Sequence, residues 1–379
     1  MLIVYGGKSE KFMKKIYSIL MTAGFVCVSC GSRMSTTKQS SDITALNYIA
    51  EIIIPQGFIF EGEEVGGLSA IDYANGSWYV LSDDRKSPRY YSLGLNYNTN
   101  GFENPKILGV AALKSKNNLP FKSGLADPES LRVSGANELY WSSEGNISTG
   151  IHPFIYRASR DGTYIAEIKL PNRYLAGQDA KNGPRNNGVF EALSLDYNSN
   201  NLWVTTELPL VQDGEIPTSK SATSPVRIAN INVAKNTFES EYVYMLDKVA
   251  RPGKMEVNGI TEILSYSKNR LLILERSYAS GHSDGGNNVK IYKVDISGAT
   301  DVSKINNLSN TDFTPVEKTL LFDFNTIRAQ LPSGRVDNIE GMTFGPLLEN
   351  GKKSLVVISD NNFNNFGEQV TQLILFEVE

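Results

Sequence analysis

The stretch Glu340-Gly341-Met342-Thr343, followed by Ser354-Leu355-Val356-Val357-Ile358-Ser359-Asp360, decides the fold. An acid opens it, a short apolar run follows, and after a polar loop a second apolar run closes on another acid. The same phrase recurs four times. Gly66-Gly67-Leu68-Ser69 leads to Trp78 through Asp83, and Glu129-Ser130-Leu131-Arg132 leads to Leu139 through Glu144. Glu191-Ala192-Leu193-Ser194 precedes Asn201 through Glu207, and Glu262-Ile263-Leu264-Ser265 precedes Arg270 through Glu275. With Leu68, Leu131, Leu193, Leu264 and Met342 as anchors, the period exceeds the roughly 40 to 50 residues of a common propeller blade, which long loops accommodate.

Two further strand candidates follow each of the first four copies: Arg89 to Leu95 and Pro105 to Leu113, Phe154 to Ala158 and Tyr164 to Leu170, Val226 to Val233 and Glu241 to Leu246, Val289 to Asp295 and Lys318 to Phe324. The fifth is followed by Gln372 to Val378 alone, while an orphan strand, Ala50 to Ile54, precedes the first copy. Pairing the two completes a blade from both termini and removes a sheet edge. Runs such as Leu271-Leu272-Ile273-Leu274 carry no polar face, as strands buried on both sides do. The expectation is an all-β propeller of five four-stranded blades, or six if another blade lies between Val211 and Gly259. No amphipathic run of helical length links the strand pairs.

Composition agrees. The 379 residues carry 37 Lys plus Arg against 41 Asp plus Glu, a net charge of -4, which argues against a nucleic-acid partner. Hydrophobic residues at 41% suffice for a large core. The two cysteines, Cys27 and Cys30, both fall in an apparent leader, which excludes a disulfide framework in the mature chain. From Met13 the chain reads Met-Lys-Lys, an apolar stretch from Ile16 to Val28, then Ser29-Cys30-Gly31-Ser32, the layout of an export signal too short to span a membrane. A Cys after a small residue resembles a lipobox with Cys30 as the lipidated residue, though Cys27 three positions earlier is unusual there; an ordinary cleavable signal is the alternative. Residues 1–30 are expected to be leader, with Met13 the true start, 31–47 a flexible tether, and 48–379 one domain. A lipid-anchored monomer of a bacterial cell envelope, periplasmic or surface-exposed, is the corresponding expectation.

In a propeller, the loop entering each first strand and the loop leaving each second strand share one face. The opening acids Glu129, Glu191, Glu262 and Glu340 are therefore expected beside the closing acids Asp83, Glu144, Glu207, Glu275 and Asp360 on one rim. So many carboxylates need hydrogen bonds, arginines or a hard cation such as Ca²⁺, which takes six to eight oxygens. Equally, a carboxylate recurring in every blade ties the same turn by accepting backbone N–H bonds. Features that differ between repeats are the sharper candidates for substrate binding: Asp83-Asp84-Arg85, His152, Arg185-Asn186-Asn187, Arg276 and Asp360-Asn361-Asn362. Solvated loop polarity is the plain alternative for each of them alone.

Other chemistries lack their residues. Gly67-Leu68-Ser69-Ala70-Ile71 misses the second glycine of a nucleophile elbow. His152 and His282 are the only histidines, with no zinc-site spacing, and no phosphate loop or dinucleotide fingerprint occurs. Gly281 to Asn288 reads as a lid or connector.

Taken together, Gly66-Gly67-Leu68-Ser69 with Leu81-Ser82-Asp83-Asp84-Arg85, Asp127-Pro128-Glu129-Ser130-Leu131, Arg185-Asn186-Asn187-Gly188-Val189-Phe190-Glu191, Leu274-Glu275-Arg276, and Asn338-Ile339-Glu340-Gly341-Met342 with Ser359-Asp360-Asn361-Asn362-Phe363 resemble the phytase-like, "esterase-like activity of phytase" family. The resemblance covers roughly Ile52 to Val378. It implies a propeller, usually exported, with phosphomonoester or ester hydrolase activity. Lacking the signatures of histidine acid phosphatases, the chain would have to resemble the calcium-assisted propeller phytases. The expected metal ligands are then Asp83, Asp84, Glu129, Glu144, Glu207, Glu275 and Asp360. Glu191, Glu340, Arg185 and Arg276 are expected at the reaction, and Arg85, His152, Asn186, Asn187, Asn361 and Asn362 at the substrate, a small-molecule phosphate ester or other ester. The rival expectations are a non-catalytic lipoprotein binding a glycan, peptide or envelope partner, and a metal-independent esterase.

Overall fold

The computed structural model describes residues 42–177, 181–198, 201–221, 224–365 and 367–379. The leader, Cys30 and most of the expected tether lie outside them. The alternating apolar runs form five antiparallel four-stranded sheets. Blade 1 is Leu68–Ala74, Ser77–Ser82, Arg89–Gly94 and Lys106–Ala112; blade 2 is Pro128–Val133, Glu138–Ser143, Phe154–Ser159 and Tyr164–Glu167. Blade 3 is Ala192–Leu195, Asn201–Thr205, Pro225–Asn232 and Thr237–Met245; blade 4 is Glu256–Ser267, Arg270–Ala279, Asn287–Asp295 and Glu317–Asp323. Blade 5 is Asn338–Phe344, Lys353–Asp360 and Thr371–Val378 with Leu46–Ile54 outermost. The segment from Val211 to Gly259 holds the outer half of blade 3, so the count is five. First strands of adjoining blades touch all the way round, and the ring closes between blades 5 and 1.

Closure follows from burial. Thr371–Val378 pairs with Leu46–Ile54 from Leu46↔Val378 to Ile54↔Thr371, so the first and last strands of the described residues share one sheet. The domain begins earlier than the expected tether boundary at residue 47. Asp42 pairs with Arg270 at 2.9 Å and Lys293 at 3.0 Å, and Ile43 and Leu46 are buried. The strand begins at Leu46 rather than Ala50 because its early side chains cap the core between blades 4 and 5.

Apolar faces of successive blades pack on one another, which is why the strands carry no polar face. Leu68, Ile71, Val80 and Tyr91 of blade 1 meet Val356, Ile358, Leu373 and Leu375 of blade 5. Between blades 1 and 2, Trp141 is fully buried against Phe154, with ring centroids 5.1 Å apart in an edge-on geometry. Each such aliphatic side chain contributes about 1.5–3 kcal/mol over the exposed state, the main force holding radially stacked sheets together.

Candidate functional site at the carboxylate mouth

One backbone frame, repeated in every blade, builds the mouth. In blades 1 to 3 the carbonyl of its first position accepts the N–H of a residue just past the second strand. Gly67 accepts from Asp83 at 2.8 Å, Asp127 from Glu144 at 3.0 Å, and Val189 from Glu207 at 2.7 Å. In blades 4 and 5 the corresponding pairs are Gly259↔Arg276 and Asn338↔Asp360. Two residues after each first position stand Ser69, Glu129, Glu191, Thr261 and Glu340. The pairing register shifts around this point in blades 1, 2, 4 and 5. A bulge re-aims a side chain that the pleat would otherwise send sideways.

This frame corrects the sequence alignment in blades 1 and 4. The equivalent apolar residues are Ile71, Leu131, Leu193, Ile263 and Met342, so Leu68 and Leu264 are not the anchors. In blade 4 the slots expected to hold Glu262 and Glu275 belong to Thr261 and Arg276. A one-residue offset sends a side chain to the other face of a strand. Glu275 accordingly turns away from the mouth, accepting from Asn258 Nδ2 at 2.8 Å and pairing with Lys318. Glu262 lies deeper, 2.6 Å from Arg132, both nearly fully buried, and Arg132 also donates to the carbonyls of Ile71, Ile263 and Met342 on the first strands of blades 1, 4 and 5. Asp84 also stands outside the mouth, holding Arg89 at 2.7 Å.

The mouth therefore gathers Asp83, Glu129, Glu144, Glu191, Glu207, Glu340 and Asp360, together with Asp127, which is not among the residues expected from sequence. Burial is the leading cause of shifted titration here, and mutual repulsion adds to it. Asp83 is pushed well above the usual carboxylate range by burial and by Asp360, Glu340 and Asp127. Burial and Glu191, Asp127, Glu144 and Asp83 do the same to Glu129; burial and Glu144, Glu207 and Glu340 do it to Glu191; burial and Glu340 do it to Asp360. Burial drives Glu144 up to about 8 against the hydrogen bond it accepts from Val189 N–H, and Glu207 up to about 7 against the pull of Arg276. Glycines make room for this crowding. Gly67 sits at φ +59°, and a Cβ there would stand 2.0 Å from Asp83 Oδ1 and 2.4 Å from Phe363 Cε2. A Cβ on Gly259 would stand 2.4 Å from Glu207 Cγ.

Charge divides the mouth in two. On one side Arg276 lies 3.5 Å from Glu207 and 3.4 Å from Glu340, donates to Asn338, and Asn338 Nδ2 donates to Glu340 at 2.8 Å. Although burial opposes its charge, Glu340, Glu207, Glu191 and Asp360 hold Arg276 above the ordinary arginine value. That half carries its own counter-ion in the position where other blades have an acid. On the other side Asp127, Glu129 and Glu144 offer carboxylate oxygens all within 4.8 Å of one another. Glu144 Oε1 accepts from Val189 N–H, while its buried Oε2 has no hydrogen-bond partner. Among the described residues only Arg85, entering from a loop, pairs with this triad, with Nε 2.5 Å from Asp127 Oδ1.

The remaining expected residues surround the mouth in unequal roles. Arg185 donates to the carbonyls of Pro209 at 3.1 Å and Gly214 at 2.7 Å and lines a neighbouring cleft of about 360 Å³ with Asn186 and Ile216. His152 Nδ1 accepts from Ala176 N–H at 3.1 Å, and Asn186 Oδ1 from Ser148 N–H at 3.1 Å, so both tie loops. Asn187, at φ 54°, accepts from Arg85 at 3.0 Å. Asn361 Oδ1 binds Gly67 N–H at 2.9 Å, and Asn362 N–H donates to Asp360 at 2.8 Å. Asn362, Phe363 and Asn364 all hold positive φ, which places the Phe363 ring over Gly66 and Gly67. For a bulky residue that backbone is costly, and such strain concentrates at functional sites. Gly281 to Asn288 is a pinned connector, with Asp284 holding Arg251 at 2.9 Å. The signal for Asp127 and Asn338 was present in the spacing Asp127-x-Glu129, Val189-x-Glu191 and Asn338-x-Glu340.

A family model described as Phytase-like, esterase-like activity of phytase, matches residues 63–363. No curated protein matches the chain. Among solved structures it is similar to an endo-arabinase from Bacteroides thetaiotaomicron, at 10% identity over 88% of this chain and 97% of that one, with TM-score 0.42. It is also similar to a putative glycoside hydrolase from Bacteroides ovatus, at 12% identity over 87% and 93%, with TM-score 0.41.

Proposed function

The chain belongs to the phytase-like family, and from that premise we propose that it hydrolyses phosphate monoesters or related esters at the carboxylate mouth with the help of a divalent cation such as Ca²⁺. The observation that carries this reading is the triad Asp127, Glu129 and Glu144, three buried carboxylates converging beside an orphaned Glu144 oxygen. An anionic substrate has no reason to approach this half unless added positive charge offsets it. The residues fit a hard cation. They are all-oxygen donors, and the half opposite is already neutralised by Arg276.

When bound, such a cation supplies charge to the ester oxygens and Lewis acidity at the phosphorus or carbonyl centre. Asp127, Glu129 and Glu144 would hold it, with Asp83 and Asp360 bordering the site. Burial and Glu144, Glu207 and Glu340 raise the pKa of Glu191 and so favour its protonated form; it is the group proposed to protonate the leaving alcohol. Arg276 holds Glu340 and Glu207 in place, and Arg85 orients the anionic oxygens. The cleft lined by Arg185 and Asn186 would receive the alcohol portion. Export and a lipid anchor at Cys30 in a bacterial envelope belong to the same proposal and are supported by the leader pattern alone.

The test is hydrolysis of p-nitrophenyl phosphate and p-nitrophenyl acetate with calcium and with EDTA. Calcium-dependent turnover lost in Glu191→Gln supports the reading. Calcium binding without turnover of either ester would make the mouth a binding site rather than a reaction centre.

A further inference from the structure

Arg85 faces the same three carboxylates that would hold the cation. Its Nε donates to Asp127 Oδ1 at 2.5 Å and its NH2 to Asn187 Oδ1 at 3.0 Å. Burial opposes its charge, and Asp127, then Glu129 and Glu144, are the groups that favour it. The two arginines of the mouth differ in how they are held. Arg276 is 15% exposed and wedged between two carboxylates and an amide, whereas the Arg85 side chain is 53% exposed and reaches the buried triad from solvent. Arg276 is built into a strand, whereas Arg85 stands on the loop between Ser77–Ser82 and Arg89–Gly94.

We propose that Arg85 is a resident counter-ion, displaced from Asp127 when a divalent cation enters the triad, and that the freed guanidinium then grips an oxygen of the anionic substrate. The inference rests on the cation reading above. A guanidinium on Asp127 Oδ1 and a divalent cation among the same three carboxylates repel each other, so cation entry weakens the hold of Asp127 on Arg85. Once released, Arg85 presents a planar fork of donors matching phosphate oxygens, beside the new positive charge. Binding is therefore ordered, with the cation first and the anion second. A phosphate ester arriving before the cation meets carboxylates and an arginine already committed to one of them.

Calorimetric titration of the full chain with CaCl₂ at about pH 8 tests this, comparing the wild type with Arg85→Gln and Arg85→Lys. Losing the resident charge should tighten calcium binding by about fivefold or more in Arg85→Gln, while Arg85→Lys stays near the wild type. Asn187→Gly removes the other anchor yet accepts the positive φ, and should shift affinity in the same direction by less. Inorganic phosphate titrated into the calcium-loaded proteins should bind Arg85→Gln about tenfold more weakly than wild type, the opposite sign from calcium. Unchanged calcium affinity in Arg85→Gln would overturn the counter-ion role while leaving the cation site standing. A wild type that binds no calcium would remove both.

Discussion

Glu144 bears the conflict that defines the mouth: one oxygen is bound to the backbone of blade 3, the other has no partner, and burial holds its pKa near 8. Folded-state values above the unfolded ones mean that the metal-free fold binds extra protons. The associated stability is fully present below the unfolded value near 4.5 and is lost as pH rises through about 7 for Glu207 and about 8 for Glu144. The melting temperature in EDTA should thus fall between about pH 5 and pH 8, whereas calcium affinity should rise over the same window, because ligand carboxylates must be deprotonated. A metal-free melting temperature that climbs through this window would contradict the burial account. Glu144→Gln keeps the acceptor for Val189 and removes the charge, so at about pH 8 its metal-free melting temperature should equal or exceed wild type while the calcium response disappears. The anchor is a separate residue-scale matter. Cys30→Ser should abolish lipid labelling and membrane partitioning in a bacterial host, and unchanged partitioning would remove the lipobox reading.

At the scale of the strand, blade 4 shows what was legible in sequence and what was not. The phrase "apolar run, loop, apolar run, acid" locates all five first and second strands, because burial on both faces leaves continuous apolar runs bounded by turn residues. It misplaced Glu262 and Glu275 by one residue, since a bulge leaves no mark in composition yet reverses which side chain faces the channel. Asp127 was missed for the opposite reason: it precedes a proline at the strand entrance, where turn residues are common, and only three-dimensional convergence sets it beside Glu129. Arg276 now occupies the slot of an acid. Replacing it by Met should leave Glu207 and Glu340 without their cation and cost about 3 kcal/mol or more at about pH 8. Urea unfolding measures this, and a loss under about 1 kcal/mol would make the pair no stronger than a surface bridge.

On the scale of the whole ring, the first and last described strands are both committed to blade 5, so closure and function share one structure. Deleting residues 42–54 uncovers the edge of Thr371–Val378 and should bring aggregation or loss of a single cooperative transition; a truncated chain that melts like the full one would contradict closure. Closure matters to the mouth because its carboxylates come from four blades, held in register against mutual repulsion by the apolar faces between them. A cation shared among them binds the folded state only. At about one hundred times its dissociation constant, calcium should therefore stabilise the chain by about 2.7 kcal/mol, read from the melting temperature.

The most direct measurement is a crystal structure grown with calcium and inorganic phosphate, with the cation located by anomalous scattering. A peak is expected about 2.3–2.6 Å from oxygens of Asp127, Glu129 and Glu144, with Arg85 turned from Asp127 onto the phosphate. A mouth without that peak at saturating calcium, its Asp127–Arg85 pair intact, would contradict it.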